Sequence, residues 1–418
     1  MTRLPGWDPK KWTLTVVFGS VLLLPHVTVA GNPVYGAKAA AMGTAFVAVA
    51  DDPSAISHNA AGLTQLKGTD TYGGATAVIP STKYESPSGE SENTKFQVFL
   101  PPHLYVSSDL NTESLAVGLG IFSPFGIGGR DWSNNGPTRY VSTESTIATI
   151  TVNPTVAYQI TPWLSTGFGG FYLYSVNTAD RMVDQSMFGA GDGKSKLDAD
   201  GGGWGYNLGI LVWPLKELSF GFAYRSKVNV KQRGKAKLNN IAPALQPLFG
   251  GSNFETTVHT EVDFPEIVSF GMAYKPTKAF TIALEAEWLK WSRFNEQKLD
   301  FSHEVPAAGF TDATVELDWH NSWLYKVGIE YKPTEKLALR AGYAYVETPV
   351  PEHTLSPANP DADRHYCSIG FGYIMSKWTV DGFYGVDIFE DRKVNNDILS
   401  GKYKNRDYYI GLSVGHRF

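Results

Sequence analysis

Two arginines stand where their side-chain chemistry would matter most. Arg340 interrupts a stretch of small and aromatic residues, and its parity opposes Leu337, Leu339, Tyr343 and Tyr345. On a strand, that alternation turns it to the other face. A guanidinium there would pair with Glu285 or Glu287, or orient the carboxylate of a ligand, because its planar fork matches carboxylate geometry. Arg364 offers the same two roles. Catalytic chemistry has no comparable foothold. No GxSxG stretch marks a nucleophile, and His259, His303, His320, His353 and His365 lack the spacing of a zinc motif. The single cysteine, Cys367, permits neither an intrachain disulfide nor a thiolate metal cluster. No catalytic residue, metal or cofactor is therefore assigned. The net charge of -5, with no long basic cluster, gives no reason to expect a nucleic-acid partner.

The elements that must position these arginines read as strands. Hydrophobic residues make up 43% of the 418, charged residues 18% and aromatic residues 13%, which is too polar for a bundle of membrane helices and too lightly charged for a water-facing globule. A transmembrane β-barrel reconciles the two, since its lipid face is apolar and its lumen polar. Residues 1–30 have the charged start, short apolar run and small-residue end of a secretory signal peptide. Residues 31–66 read as a compact, mostly helical amino-terminal element: Gly36 to Ala50 is rich in Ala, with Gly43 as a weak point, Asp51-Asp52-Pro53-Ser54 reads as a turn or a helix cap, and Asn59-Ala60-Ala61-Gly62-Leu63 as a tight connection. From there to residue 418 the period is two. Leu218, Phe220, Phe222, Tyr224, Val228 and Val230 share one face of a segment near 217–231, as do Tyr408, Ile410, Leu412, Val414, His416 and Phe418 at the end of the chain.

Fourteen such stretches are expected, and an even number lets an antiparallel barrel close with both ends on the periplasmic side. The first lies near 69–79, the second near 95–106, the third near 114–123 and the last near 404–418. Short links containing Pro162, Pro214, Pro276 and Pro333 read as periplasmic turns, and the longer polar stretches near 124–142, 179–200, 232–255 and 294–313 as outer loops. Ile241, Leu245, Leu248 and Phe249 fall at partly helical spacing in one of these. They make either a small apolar groove at the outer mouth or a loop helix packed on its neighbours.

The run GAKAAAMGTAFVAVADDPSAISHNAAGL at Gly36 to Leu63 resembles the amino-terminal part of the FadL/TodX/OmpP1 family of long-chain fatty acid and hydrocarbon transporters. The resemblance continues through Ser114 to Gly120, Pro124-Phe125-Gly126, Asp263 to Glu266, Trp319 to Tyr331, Leu339 to Tyr343, Thr348 to Pro351 and Pro360 to Arg364. It implies a monomeric fourteen-stranded barrel with residues 31–66 as a hatch, gated around Asp51, Asp52, Pro53 and Asn59 to Gly62. It also implies an inward kink in the third strand, for which Gly118, Gly120, Pro124, Phe125 and Gly126 are the candidates, opening a lateral route for an apolar ligand. The family commonly has Asn-Pro-Ala where this chain has Asn59-Ala60-Ala61, so one fixed backbone angle is lost and a donor regained.

The implied activity is passive transport of fatty acids or related hydrocarbons across a Gram-negative outer membrane, from an extracellular groove through an apolar pocket to the barrel wall. The partners are those apolar compounds, outer-membrane lipids and, from the aromatic last strand, the barrel-assembly machinery. A general porin or structural surface barrel is the competing class, and an outer-membrane lipid hydrolase a more distant one.

Overall fold

The computed structural model describes residues 35–418; the expected signal peptide lies outside the described residues. Among the described residues no helix is long and apolar enough to cross a membrane. The crossing is made by strands. We number the wall β1 Thr69–Glu85, β2 Pro102–Ser108, β3 Leu115–Phe122 continued as Ile127–Asp131, β4 Glu144–Thr161, β5 Leu164–Val183, β6 Gly193–Leu215 and β7 Leu218–Arg225 continued as Val228–Asn239. It runs on through β8 Asn253–Phe264 and Ile267–Thr277, β9 Phe280–Leu289 and Glu296–Phe301, and β10 Ala313–Glu316 and Ser322–Tyr331. The circuit ends with β11 Leu337–Val346, β12 Arg364–Met375, β13 Trp378–Phe389 and β14 Gly401–Arg417. Neighbours pair antiparallel, and β1 pairs with β14 from Asp70↔Arg417 to Glu85↔Lys402, so the sheet closes on itself.

Several segments expected to be loops are strand instead. Residues 127–131, 193–200, 232–239 and 296–301 all extend the wall on the long-loop side. Their chemistry is inverted relative to the membrane zone. In β6, Trp204, Tyr206, Leu208 and Ile210 face outward, whereas further up the outward positions are Lys194, Lys196, Asp198 and Asp200, with Leu197 and Ala199 buried inside. Above the lipid, the outer face must meet water and the inner face is free to be apolar.

In β7 a backbone irregularity produces this inversion. The ladder to β6 runs Asn207↔Arg225 on one side and Gly202↔Lys231 on the other, one residue longer on β7. Such a bulge at Ser226–Lys227 exchanges the two faces. Phe220, Phe222 and Tyr224 face lipid as expected, but Val228 and Val230 are fully buried inside, so the single face expected from 218 to 230 is corrected. The break at Pro265–Glu266 does the same to β8: Val262 and Phe264 point in, Val268 and Phe270 out.

Residues 35–66 lie against the inner wall, largely buried. Helix Ala37–Ala41 stops at Met42 because Gly43 adopts φ 63°, the left-handed geometry that ends helices. A second short helix, Ala55–His58, leads into a 3₁₀ turn, Ala60–Gln65. Inward glycines of the wall make this docking possible. A Cβ at Gly167, Gly209, Gly221, Gly328 or Gly342 would overlap the backbone of the segment or the Asn59 side chain. The chain therefore rests on the strands with no side chain between.

Candidate functional site

The amino-terminal segment is fixed by polar groups on both sides. Glu285 Oε2 accepts the N–H groups of Phe46 and Val47 at 2.8 Å each, and Lys326 Nζ donates to Glu285 Oε1 at 2.9 Å and Glu287 Oε2 at 3.1 Å. Asn59 Nδ2 donates to the carbonyls of Val47 (2.8 Å) and Ile210 (3.0 Å), while its Oδ1 accepts from Ala61 N at 3.2 Å. The turn at Asn59-Ala60-Ala61 thus closes through the Asn side chain. Gly62 is required for space, since a Cβ there would strike Ala50 O. Asp51 pairs with Lys38 at 2.7 Å, and that cation holds its carboxyl well below the usual range against the opposing effect of burial. Asp52 accepts from Ser54 N (2.8 Å) and Oγ (2.5 Å), and burial pushes it up to about 6. Pro53 lies with both acids beside a cavity on the short-turn side.

The third strand carries the main irregularity. Its ladder to β4 runs to Phe122↔Thr151 and resumes at Ile127↔Ala148, so Ser123, Pro124, Phe125 and Gly126 stand opposite only Ile150 and Thr149. Two surplus residues must leave the sheet plane. Proline lacks the donor for a ladder, and Gly126 at φ 78° turns the chain back. Phe125 enters the lumen and stacks on Phe264, with ring centroids 4.5 Å apart and Trp291 at 6.3 Å. Gly118 and Gly120 lie below this break in regular register with Ser107 and Tyr105, facing Ile56 of the amino-terminal segment.

On its other side β3 parts from β2. Their ladder ends at Leu104↔Ile121, and the next backbone bond between the two, Lys95 N to Asp131 O at 2.7 Å, lies far above it. The upper half of the strand expected at 95–106 is therefore irregular. Phe99 bonds back to Val78 on β1, Pro101 and Pro102 supply no donors, and Phe96, Val98 and Leu100 are left exposed.

Pro124 and Phe125 line a cavity of about 40 Å³ with Tyr35, Ser57 and His58 of the amino-terminal segment and Arg225, Glu285 and Glu287 of the wall. Burial drives the His58 imidazole down to about 3, so it is neutral, and its ring lies 5.2 Å from Tyr35 and 5.3 Å from Phe46. Arg225 was not singled out from the sequence. Its signal was a cation at lumen parity in a strand of Phe and Tyr.

Arg340 faces inward as its parity requires, but its partners are Glu330 (2.8 Å) and Asp381 (2.6 Å). Glu285 and Glu287 belong to Lys326, because β10 lies between β9 and β11. Arg364 pairs with Asp361 at 3.0 Å and Asp387 at 3.4 Å. Ile241, Leu245 and Phe249 are buried in a cluster with Leu238, Val258, Phe301 and Phe310 at the outer end of the barrel, and Leu248 alone of the four is exposed. The helix there is a single turn, Gln246–Phe249. His353, from a different stretch of chain, comes within 3.3 Å of Asp318, with Glu316 alongside.

A closed barrel with an apolar girdle, a polar lumen and a folded segment seated inside defines an outer-membrane transport protein. The chain belongs to the outer membrane protein transport family (OMPP1/FadL/TodX), whose model matches residues 26–418. It is 24% identical to a long-chain fatty acid transport protein of Escherichia coli O6:H1, covering 79% of each chain, and 24% identical to outer membrane protein P1 of Haemophilus influenzae, covering 73% of this chain and 69% of that one. Among solved structures it resembles a Pseudomonas aeruginosa FadL homologue (TM-score 0.81, 19% identity, 93% of this chain and 99% of that one) and the Pseudomonas putida toluene transporter TodX (TM-score 0.77, 17% identity, 92% and 98%). The protein resides in the Gram-negative outer membrane, and its family is one of transport channels rather than enzymes.

Proposed function

We propose that this protein carries apolar compounds passively from the cell exterior to an opening in its own wall between β2 and β3. The observation that carries the proposal is the surplus of two residues at Ser123–Gly126, because one irregularity places Phe125 at an internal cavity and coincides with the parting of β3 from β2. Apolar compounds enter at the outer extension, whose inner face presents the cluster around Ile241, Leu245 and Phe249. They descend past the rings of Trp319, Trp291 and Phe125 to the cavity, and leave sideways into the lipid.

Residues 35–66 act as the hatch, with Asn59 to Gly62 and the Lys38–Asp51 pair as its fixed points. A cavity of about 40 Å³ holds a few waters but no long alkyl chain. Ligand entry therefore requires Phe125 or the hatch to move. Each methylene taken up contributes roughly 0.8 kcal/mol toward that displacement. The candidate substrates are long-chain fatty acids or related hydrocarbons, the classes that the relatives' names span. A single chain is the transport unit, since the sheet closes without a partner.

Solvent extraction of the purified protein followed by mass spectrometry should yield a bound amphiphile, and expression in cells lacking the protein should raise uptake of a labelled fatty acid or hydrocarbon. Finding neither would sink the reading.

A further inference from the structure

Val315, Leu317 and Trp319 are buried in the apolar cluster of the lumen, so the alternation along β10 sends Glu316 and Asp318 to the other face. A third ligand-bearing side chain meets them from elsewhere in the chain. His353 lies in the single 3₁₀ turn Glu352–Thr354, within the connection from β11 to β12. The two segments are tied together beside these side chains and without using them. Thr354 Oγ1 donates to the Leu317 carbonyl at 2.7 Å, His320 N donates to that of Pro349 at 2.8 Å, and Leu317 N and Asp318 N share the Asn295 carbonyl at 2.8 and 2.9 Å. Three potential ligands are thus held together by bonds that an arriving ion leaves intact.

One donor atom from each of Glu316, Asp318 and His353 lies within 4.8 Å of the others, and His353 Nε2 stands 3.3 Å from Asp318 Oδ2. Zinc sits about 2.0–2.2 Å from nitrogen and oxygen donors, which places neighbouring donors about 3–3.5 Å apart. Small rotations of solvent-facing side chains reach that geometry. Charge favours it as well. Among the described residues neither carboxylate has a Lys or Arg nitrogen within 4 Å, and across the ladder Glu316 faces another acid, Glu296, whose own cation is Lys298 at 2.9 Å. Like charges directly opposite one another are unfavourable, and a cation between them relieves that. Glu316 and His353 also line a cavity of about 720 Å³. Arg181 lines it too, donating Nη1 to the Tyr140 carbonyl at 3.1 Å, against Glu316 and Asp397 on the lining and Asp318 beside it.

We infer that Glu316, Asp318 and His353 bind a divalent transition-metal ion at the outer end of the barrel, of the zinc class rather than magnesium or calcium. The imidazole decides the class, since it suits zinc, copper and nickel, whereas magnesium and calcium take oxygen donors. Three protein ligands leave at least one coordination position, which water from the cavity fills. A bound ion bridges β10 and the connection from β11 to β12, so it stiffens the outer rim. The site is separate from the cavity beside Phe125, and it stands or falls independently of the transport reading.

The test uses full-length, tag-free protein in lipid nanodiscs, stripped with a chelator and titrated calorimetrically with Zn2+. The wild type should take up a single ion that millimolar Mg2+ does not displace. His353→Ala, Glu316→Gln and Asp318→Asn should each weaken binding at least about tenfold, because even groups that only orient metal ligands are worth that much. His303→Ala, at an exposed histidine of another outer connection, should bind as the wild type does. Zinc should also slow amide exchange across residues 350–356 in the wild type but not in His353→Ala. All three ligand positions face solvent at least in part, so the variants should assemble, which heat-dependent mobility on a gel checks. A wild type that binds no zinc would overturn the inference, as would zinc binding that persists undiminished in both His353→Ala and Asp318→Asn.

Discussion

Glu285 commits both of its oxygens, one to Lys326 and the other to two amides of the hatch. Replacing it with Ala leaves Lys326 to Glu287 and strips the Phe46 and Val47 amides of their acceptor. A hydrogen bond to a charged group contributes about 1.5–3 kcal/mol, so amides 45–49 should exchange with solvent at least about tenfold faster in Glu285→Ala while the barrel strands stay protected. Unchanged exchange would mean that the hatch is held elsewhere. Two further residues make its docking depend on pH, in opposite senses. His58 titrates at about 3 in place of 6.5, so the undocked segment binds more protons; its contribution is complete above 6.5 and is lost as pH falls toward 3. Asp52 titrates at about 6 in place of 3.8, so its contribution is complete below 3.8 and is lost as pH rises through 6. Hydrogen exchange across residues 35–66, corrected for the intrinsic rate, should therefore lose its acid-side acceleration in His58→Gln and its rise toward neutral pH in Asp52→Asn. Identical profiles in wild type and variants would refute both assignments.

At the scale of the strand, the surplus in β3 makes a direct prediction. Deleting Pro124 and Phe125 leaves Ser123 and Gly126 opposite Ile150 and Thr149, and the ladder can then run unbroken from Phe122 to Ile127. The barrel should still fold and show heat-modifiable mobility, but uptake of the apolar substrate should fall to the level of cells lacking the protein. Uptake at wild-type rates would remove the wall opening from the mechanism. Pro124, Phe125 and Gly126 became candidates only through the family resemblance, and the glycines that the sequence offered for an irregular strand, Gly118 and Gly120, keep regular register; the direction in which Phe125 turns depends on the register of β4. The same limit applies across the wall. Fourteen strands could be read because lipid on one side and water on the other enforce a period of two. That period stays even-numbered through β7 and β8, and a bulge or break moves it from the lipid face to the lumen without altering the pattern. Arg340 could be assigned to a face, yet Glu330 and Asp381 became its partners only through the order of β10, β11, β12 and β13. A face is a local property of the sequence, whereas a partner is not.

Taken whole, the molecule seats residues 35–66 against the inner wall of its barrel, the segment proposed as a hatch. The seat is formed by inward glycines, where the wall and the hatch backbone meet without side chains, and it is reinforced by Glu285 and Asn59. Water and ions should therefore find no continuous path, whereas the route proposed for an apolar ligand runs through the wall. Single-channel recording in planar bilayers separates this arrangement from that of a general porin. The intact protein should show little steady conductance, and removal of residues 35–66 should produce large, long-lived openings. Because a deletion of that size can disturb assembly, Gly342→Val provides a finer probe. Its side chain would collide with Gly43, pushing the hatch off β11 while the outward face of the strand is untouched. That variant should conduct intermittently and lose protection of the amides near Gly43. Large steady channels from the unaltered protein would show that the hatch does not seal the lumen, and the route through the wall would then have no advantage over the open bore.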